Sequence, residues 1–130
     1  MKDFYLNIEN SYNRLLIEYQ KYQSLVVAFD FDNTVYDYHS QGHTYLNVVK
    51  LLQELKEIGC YLIIFTANED EVFVKNYCNK EGIPFDIIND NPPFYNSKSR
   101  KIYYNVLLDD RAGLRQVFDA LSKLVNNIKQ

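Results

Sequence analysis

Apolar positions along the chain switch between two periods, and the switches outline its elements. Phe4, Ile8, Tyr12, Leu15, Leu16 and Tyr19 recur three or four residues apart, which predicts an amphipathic helix over residues 3–22. Residues 25–30 are then apolar without alternation, as a parallel strand buried on both faces should be. Helical spacing returns at Leu46, Val49, Leu52, Leu55 and Ile58 and stops before Gly59, a residue suited to closing a helix. Residues 60–65 make a second apolar run. A helix carrying Val72, Phe73, Tyr77 and Cys78 follows, opening at Asn68 or Glu69 and ending near Gly82 and Pro84. Short strands are expected at 85–88 and 104–108, separated by residues 89–101, whose Asn, Pro, Ser and Lys content marks a loop. Loops this long in compact domains are usually functional or mobile. After Gly113 the residues Leu114, Val117, Phe118, Leu121, Leu124, Val125 and Ile128 form the apolar face of a last helix.

This alternation predicts an α/β fold, a three-layer Rossmann-like domain with a mainly parallel sheet and right-handed crossovers. At 130 residues the chain makes one domain with a real core. Its 47% hydrophobic and 24% charged residues are ordinary for a globular protein, and no run is long enough to span a bilayer. The first residues carry charges and amides where a secretory signal has its apolar stretch, so a cytoplasmic location is expected and no membrane partner. A net charge of -3 argues against strong non-specific binding of nucleic acid; only Lys98, Arg100 and Lys101 cluster, which leaves weak, local support for such a partner. The first helix either covers the sheet or presents a face for a homo-oligomer. Cys60 and Cys78 match no metal-ligand spacing and read as small buried hydrophobes.

Chemistry enters where strands turn polar. The first ends in Asp30 and Asp32, which project to the same side because successive strand residues alternate. Two like charges so close require a divalent metal or a shared proton, unless they only decorate an Asp/Asn-rich turn. The second strand ends in Thr66 followed by Asn68, and the fourth in Asp109 and Asp110. Ligands bind outside the carboxyl ends of open parallel sheets. Two acidic pairs at two such ends argue for a compensating cation, and hard oxygen donors of this kind suit Mg²⁺ accompanied by phosphate oxygens.

From Leu25 to about Gly113 the chain resembles the haloacid dehalogenase superfamily. The resemblance rests on Asp30-Phe-Asp32-Asn-Thr34, on Phe65-Thr66-Ala-Asn68, on a downstream lysine and on Leu107-Leu108-Asp109-Asp110. The family's usual Gly after the second Asp is here Asn33, which also tolerates unusual turn dihedrals. The resemblance implies a Mg²⁺-dependent phosphatase acting on a phosphorylated substrate. Asp30 is then the nucleophile and Asp32 the general acid/base, whose presence favours phosphoryl transfer over dehalogenation. Thr66 holds phosphoryl oxygens, with Asn68 beside it. Asp109 joins Asp30 and the backbone carbonyl of Asp32 at the metal, supported by Asp110. Lys101, eight residues before Asp109, is the expected catalytic lysine in the manner of small capless relatives, ahead of Lys98. Arg111 either binds a substrate anion, pairs with Asp110 or serves a helix end.

Neither residues 33–43 nor residues 89–101 have the length of a cap domain, so an open site is expected. Such a site admits a macromolecular end, or uses another subunit as its lid. Tyr36, Tyr38, His39 and His43 near the first strand, with Phe94 and Tyr95 in the loop, are read as incidental surface aromatics rather than a base-stacking surface. A metal-binding interaction module without turnover and a phosphatase of polynucleotide ends are the competing functions.

Overall fold

A computed structural model describes residues 3–130. Four parallel strands, β1 (Val26–Phe29), β2 (Tyr61–Ile64), β3 (Ile87–Ile88) and β4 (Val106–Leu108), form one sheet in the order β3-β2-β1-β4. Helices α1 (Ile8–Tyr22), α2 (Leu46–Glu57), α3 (Glu71–Glu81) and α4 (Leu114–Lys129) complete the regular elements, apart from a single 3₁₀ turn at Phe4–Leu6. The α/β class and the parallel sheet are those the sequence predicts.

Two helices, α1 and α3, begin later than their periodicity suggests, because side-chain caps choose the first turn. Asn7 accepts a hydrogen bond from the Asn10 N–H (3.2 Å), so α1 opens at Ile8 and the residues before it stay in the 3₁₀ turn. Asn68 spends its side chain on the Asp70 N–H (2.9 Å), and Asp70 in turn caps α3 through the Phe73 N–H (3.0 Å). That moves the start of α3 from Asn68 or Glu69 to Glu71. The strands are shorter too. Asn105 intercepts the first rung of β4, its side chain accepting from the Val26 N–H (2.6 Å) while its own N–H donates to the Val26 carbonyl (2.8 Å).

One face of the sheet carries nearly all the core. Val27 and Phe29 of β1, Leu62 and Ile64 of β2, and Val106 and Leu108 of β4 pack there against Tyr12 and Leu15 of α1, Leu52 and Leu55 of α2, Val74 and Cys78 of α3, and Leu121 and Leu124 of α4. Each fully buried side chain of this size stabilises the fold by roughly 1.5–3 kcal/mol. Cys60 and Cys78 are buried free thiols, pushed up to about 11 and about 12 by that burial, as small core hydrophobes should be.

The opposite face holds Val26, Ala28 and Ile63, covered by Tyr61, Ile87, Ile102, Tyr103, Tyr104 and Leu107. Its outer layer is therefore the extended segment 89–105 rather than a helix. Right-handed crossovers explain the asymmetry. The steps from β1 to β2 and β2 to β3 run the same way across the sheet and put α2 and α3 on one side. The return from β3 to β4 runs back past them and must cross the other face, where this chain supplies a helix-free connection.

Candidate active site

All four strands end level, and the strand order reverses between β1 and β4. The Asp30 N–H donates to the Leu108 carbonyl (2.9 Å), the Phe65 N–H to Phe29 (2.8 Å) and the Asn89 N–H to Ile64 (2.8 Å), each extending its ladder by one residue. The first polar residues of four strands thus stand side by side at the switch point of an open sheet, where ligands bind.

Phe31 divides the first acidic pair and sets its direction. It is fully buried, stacked on Tyr36 (ring centroids 4.9 Å apart) and edge-on to Phe73 and Tyr77. Its carbonyl accepts from the N–H groups of Thr34, Val35 and Tyr36, which curls the chain into a tight turn directly after β1. Asn33 occupies that turn at φ +61°, the left-handed region in which asparagine substitutes for glycine at least cost. Anchored by Phe31, both Asp30 and Asp32 line a cavity of about 620 Å³.

Asp109 and Asp110 line the same cavity. Asp30, Asp109 and Asp110 each offer a carboxylate oxygen within 4.8 Å of the others. Burial, then a side-chain contact with Asp110 and the charges of Asp109 and Asp110, push the Asp30 carboxyl up to about 7. Asp32 is raised from its ordinary value by burial and by the charge of Asp110. Its Oδ1 is buried and has no hydrogen-bond partner among the described residues.

The donor set fits a hard divalent cation. It consists of carboxylate oxygens alone, close enough to share one ion, and it leaves negative charge uncompensated. Asp30, Asp109 and Asp110 are the side chains that can hold Mg²⁺. Asp110 lies in the cluster itself, beside Asp30 and Asp109.

Thr34 ties the two acidic pairs together and is the only buried polar residue among those described. Its hydroxyl accepts from the Asp110 N–H (3.1 Å) and lies 3.3 Å from Asp110 Oδ1 and 3.4 Å from Asp30 Oδ2. One hydroxyl proton serves two carboxylates, so their repulsion is eased rather than removed.

Thr66, Phe65 and Ala67 supply the β2 side of the cavity. Thr66 is held by Asn89 at the end of β3, whose side-chain amide accepts from the Thr66 N–H (2.8 Å) and donates to the Thr66 carbonyl (2.8 Å). Asn89 sits at φ +51°, which aims its amide back at the neighbouring strand. Sequence reasoning passes over Asn89 because it lies in an Asn-rich stretch 23 residues from its partner. The Thr66 Oγ1 also accepts from the Asn68 N–H (3.1 Å), forming a local turn.

The other expected residues divide. Arg111 is on the cavity wall, and among the described residues its guanidinium forms no ion pair, with Asp110 or any other carboxylate. Its N–H donates to Asp109 Oδ1 (2.8 Å). Asn68 is off the wall, engaged in the turn before α3. Lys98 is exposed on the 89–105 segment and also off the wall. Lys101 is not brought to the wall either; its ammonium sits over the Tyr104 ring (5.7 Å), and Tyr104 neighbours Phe65 (6.3 Å between centroids). Of the aromatics, Tyr38 and His39 line the cavity, Tyr36 packs on Phe31, and His43, Phe94 and Tyr95 lie elsewhere.

No family model matches the chain, and no curated protein matches it significantly. Among solved structures, that of a conserved protein coded by a locus from Bacteroides thetaiotaomicron is similar over 82% of this chain and 93% of that one, with 24% identity and a TM-score of 0.63. At that identity the likeness speaks for the fold alone. No described helix is long and apolar enough to cross a membrane.

Proposed function

We infer that the protein is a Mg²⁺-dependent phosphohydrolase of the haloacid dehalogenase type, working through an aspartyl-phosphate on Asp30. The observation that carries this reading is the convergence of three carboxylates from two adjacent strand ends beside a fourth, Asp32, whose buried oxygen is unpartnered. A site that only held metal has no need of that fourth carboxyl. Bound Mg²⁺ would offset the charge of the carboxylates and of the incoming phosphoryl group.

In the first step an oxygen of Asp30 forms a bond to phosphorus while the ester P–O bond breaks, and Asp32 delivers its proton to the departing oxygen. A carboxyl whose affinity for protons is raised by burial suits that task. In the second step water attacks phosphorus, its proton passes to Asp32, and the bond to Asp30 breaks to release orthophosphate. Thr66, its backbone held by Asn89, would donate its hydroxyl to phosphoryl oxygens. Arg111, the cation on the wall, adds positive charge there, and Lys101, its ammonium over the Tyr104 ring, is the candidate catalytic lysine.

The test is hydrolysis of an aryl phosphate by the purified protein with and without Mg²⁺. Metal-dependent turnover that disappears in Asp30→Asn is expected; equal rates with and without metal, or an active Asp30→Asn, would refute the reading. Phosphorylated or beryllium-fluoride-trapped Asp30, observed by mass or fluorine resonance, separates an enzyme from a metal-binding module.

A further inference from the structure

We propose that the site is built for a nucleoside monophosphate, with Phe65 as the platform on which the planar base rests. This rests on the phosphohydrolase reading and adds the substrate class. The cavity has two chemically distinct parts. Its floor is the four carboxylates; its wall includes the rings of Phe65, Tyr38 and His39. Phe29 and Phe31, on the neighbouring strand and its turn, are fully buried, whereas Phe65 is 37% exposed at a strand end. Exposed apolar area of this kind, opening into a cavity, gains free energy when another flat ring covers it.

Phe65 also has an aromatic neighbour outside the cavity: Tyr104, which is not on the wall, stands tilted to it with ring centroids 6.3 Å apart. In the segment 33–43, Tyr38 and His39 meet edge to face at 5.0 Å, a paired arrangement that also lines the cavity. Stacking platforms of this type accept any base, because each base has a π-face.

Size and charge narrow the class further. A cavity of about 620 Å³ has room for more than a phosphoryl group and one small ring. The wall carries four carboxylates and a single guanidinium. A metal ion can hold one phosphoryl group there, but among the described residues the wall has no second cationic side chain placed to hold a chain of further phosphates. A mononucleotide meets all three conditions, and a polynucleotide end fails the last.

The deciding experiment compares kcat/KM with Mg²⁺ for a nucleoside 5′-monophosphate, p-nitrophenyl phosphate, glycerol 3-phosphate and a 5′-phosphorylated oligonucleotide. The mononucleotide should exceed glycerol 3-phosphate by about 10-fold or more, with the difference mostly in KM, and should exceed the oligonucleotide. Phe65→Ala should remove most of that preference while leaving glycerol 3-phosphate nearly unchanged; Phe65→Tyr should restore it, and Tyr38→Ala should lower it less. Equal use of ring-bearing and ringless esters, superiority of the aryl phosphate or the oligonucleotide, or an equal loss on every substrate in Phe65→Ala overturns the proposal. If no ester is turned over, the phosphohydrolase reading has failed. Calorimetry then still decides this one: binding of the mononucleotide to the Mg²⁺-loaded protein, weakened in Phe65→Ala, supports the platform, and no binding overturns it.

Discussion

The two sides of the cavity solve opposite problems. At the ends of β1 and β4, three carboxylates crowd together beside a fourth, one threonine hydroxyl reaches two of them, and Asp30 is pushed up to about 7. At the ends of β2 and β3, the Thr66 backbone is closed by a two-bond clamp from Asn89 and carries no charge. The first side is electrostatically unfinished without a cation, and the second is complete before any ligand arrives. A site that must bind charge while keeping its geometry needs both: reactive groups under electrostatic tension, held against a neutral frame that does not move to relieve it.

Substituting the unfinished side should give the largest effect. If Asp30 is the nucleophile proposed above, Asp30→Asn is expected to lower kcat by about 10³-fold or more, since it removes the attacking carboxylate. The same change should raise the melting temperature of the metal-free protein at pH 8, because an unpaired charge is gone. Loss of activity together with loss of stability would mean that the carboxylates support the fold rather than frustrate it.

Next comes the positive charge. Lys101→Ala should reduce kcat/KM about 10-fold, and Lys98→Ala by less than about twofold, as solvated surface charges do. The reverse ranking, in steady-state kinetics on the same aryl phosphate, would reassign the lysine.

The finished side should respond in stability before chemistry. Asn89→Ala leaves the Thr66 N–H and carbonyl without partners, and denaturant unfolding should record a loss of about 1–3 kcal/mol, with a fall in kcat that Mg²⁺ does not restore. An unchanged unfolding midpoint would show that water replaces the clamp.

The smallest effect is a slope. Asp30 binds protons more tightly in the folded chain than in the unfolded one, where its ordinary value is 3.8. Its contribution to stability is therefore complete below about pH 4 and is lost as pH rises through about 7. The metal-free melting temperature should fall across that window, less steeply in Asp30→Asn, and saturating Mg²⁺ should counter the fall by binding the ionised form. At 100 times its dissociation constant a ligand specific for the folded state adds about 2.7 kcal/mol. Identical slopes in the wild type and Asp30→Asn would remove Asp30 as the titrating group.

Reading the chain in order recovers most of the fold and the strand ends around which the candidate site forms. The apolar runs at 25–30 and 60–65 are legible because a strand buried on both faces leaves no polar position to alternate. The acidic pairs are legible because each directly follows such a run, and Asn33 because the turn needs a left-handed residue. Asn89 is not legible: its partner is 23 residues away, on the far side of α3, and only the pairing of β2 with β3 makes them neighbours. The exposure of Phe65 escapes for a similar reason, since an apolar residue ending an apolar run reads as core until the cavity beside it is known. Helix starts shift by a few residues where Asn7 and Asp70 compete to cap.

The sequence by itself determined the parallel α/β class, the positions of the carboxylates and their charge conflict, because periodicity and local turn chemistry act over a few residues. Tertiary structure alone decided that Asp110 joins Asp30 and Asp109, that Asn89 clamps Thr66, and that Lys98 and Lys101 lie off the wall while Arg111 lies on it. It also decided that one sheet face is covered by segment 89–105 instead of a helix. These depend on which strands become neighbours and which way each crossover turns, and such distances are set by the packing of the whole sheet rather than by spacing along the chain.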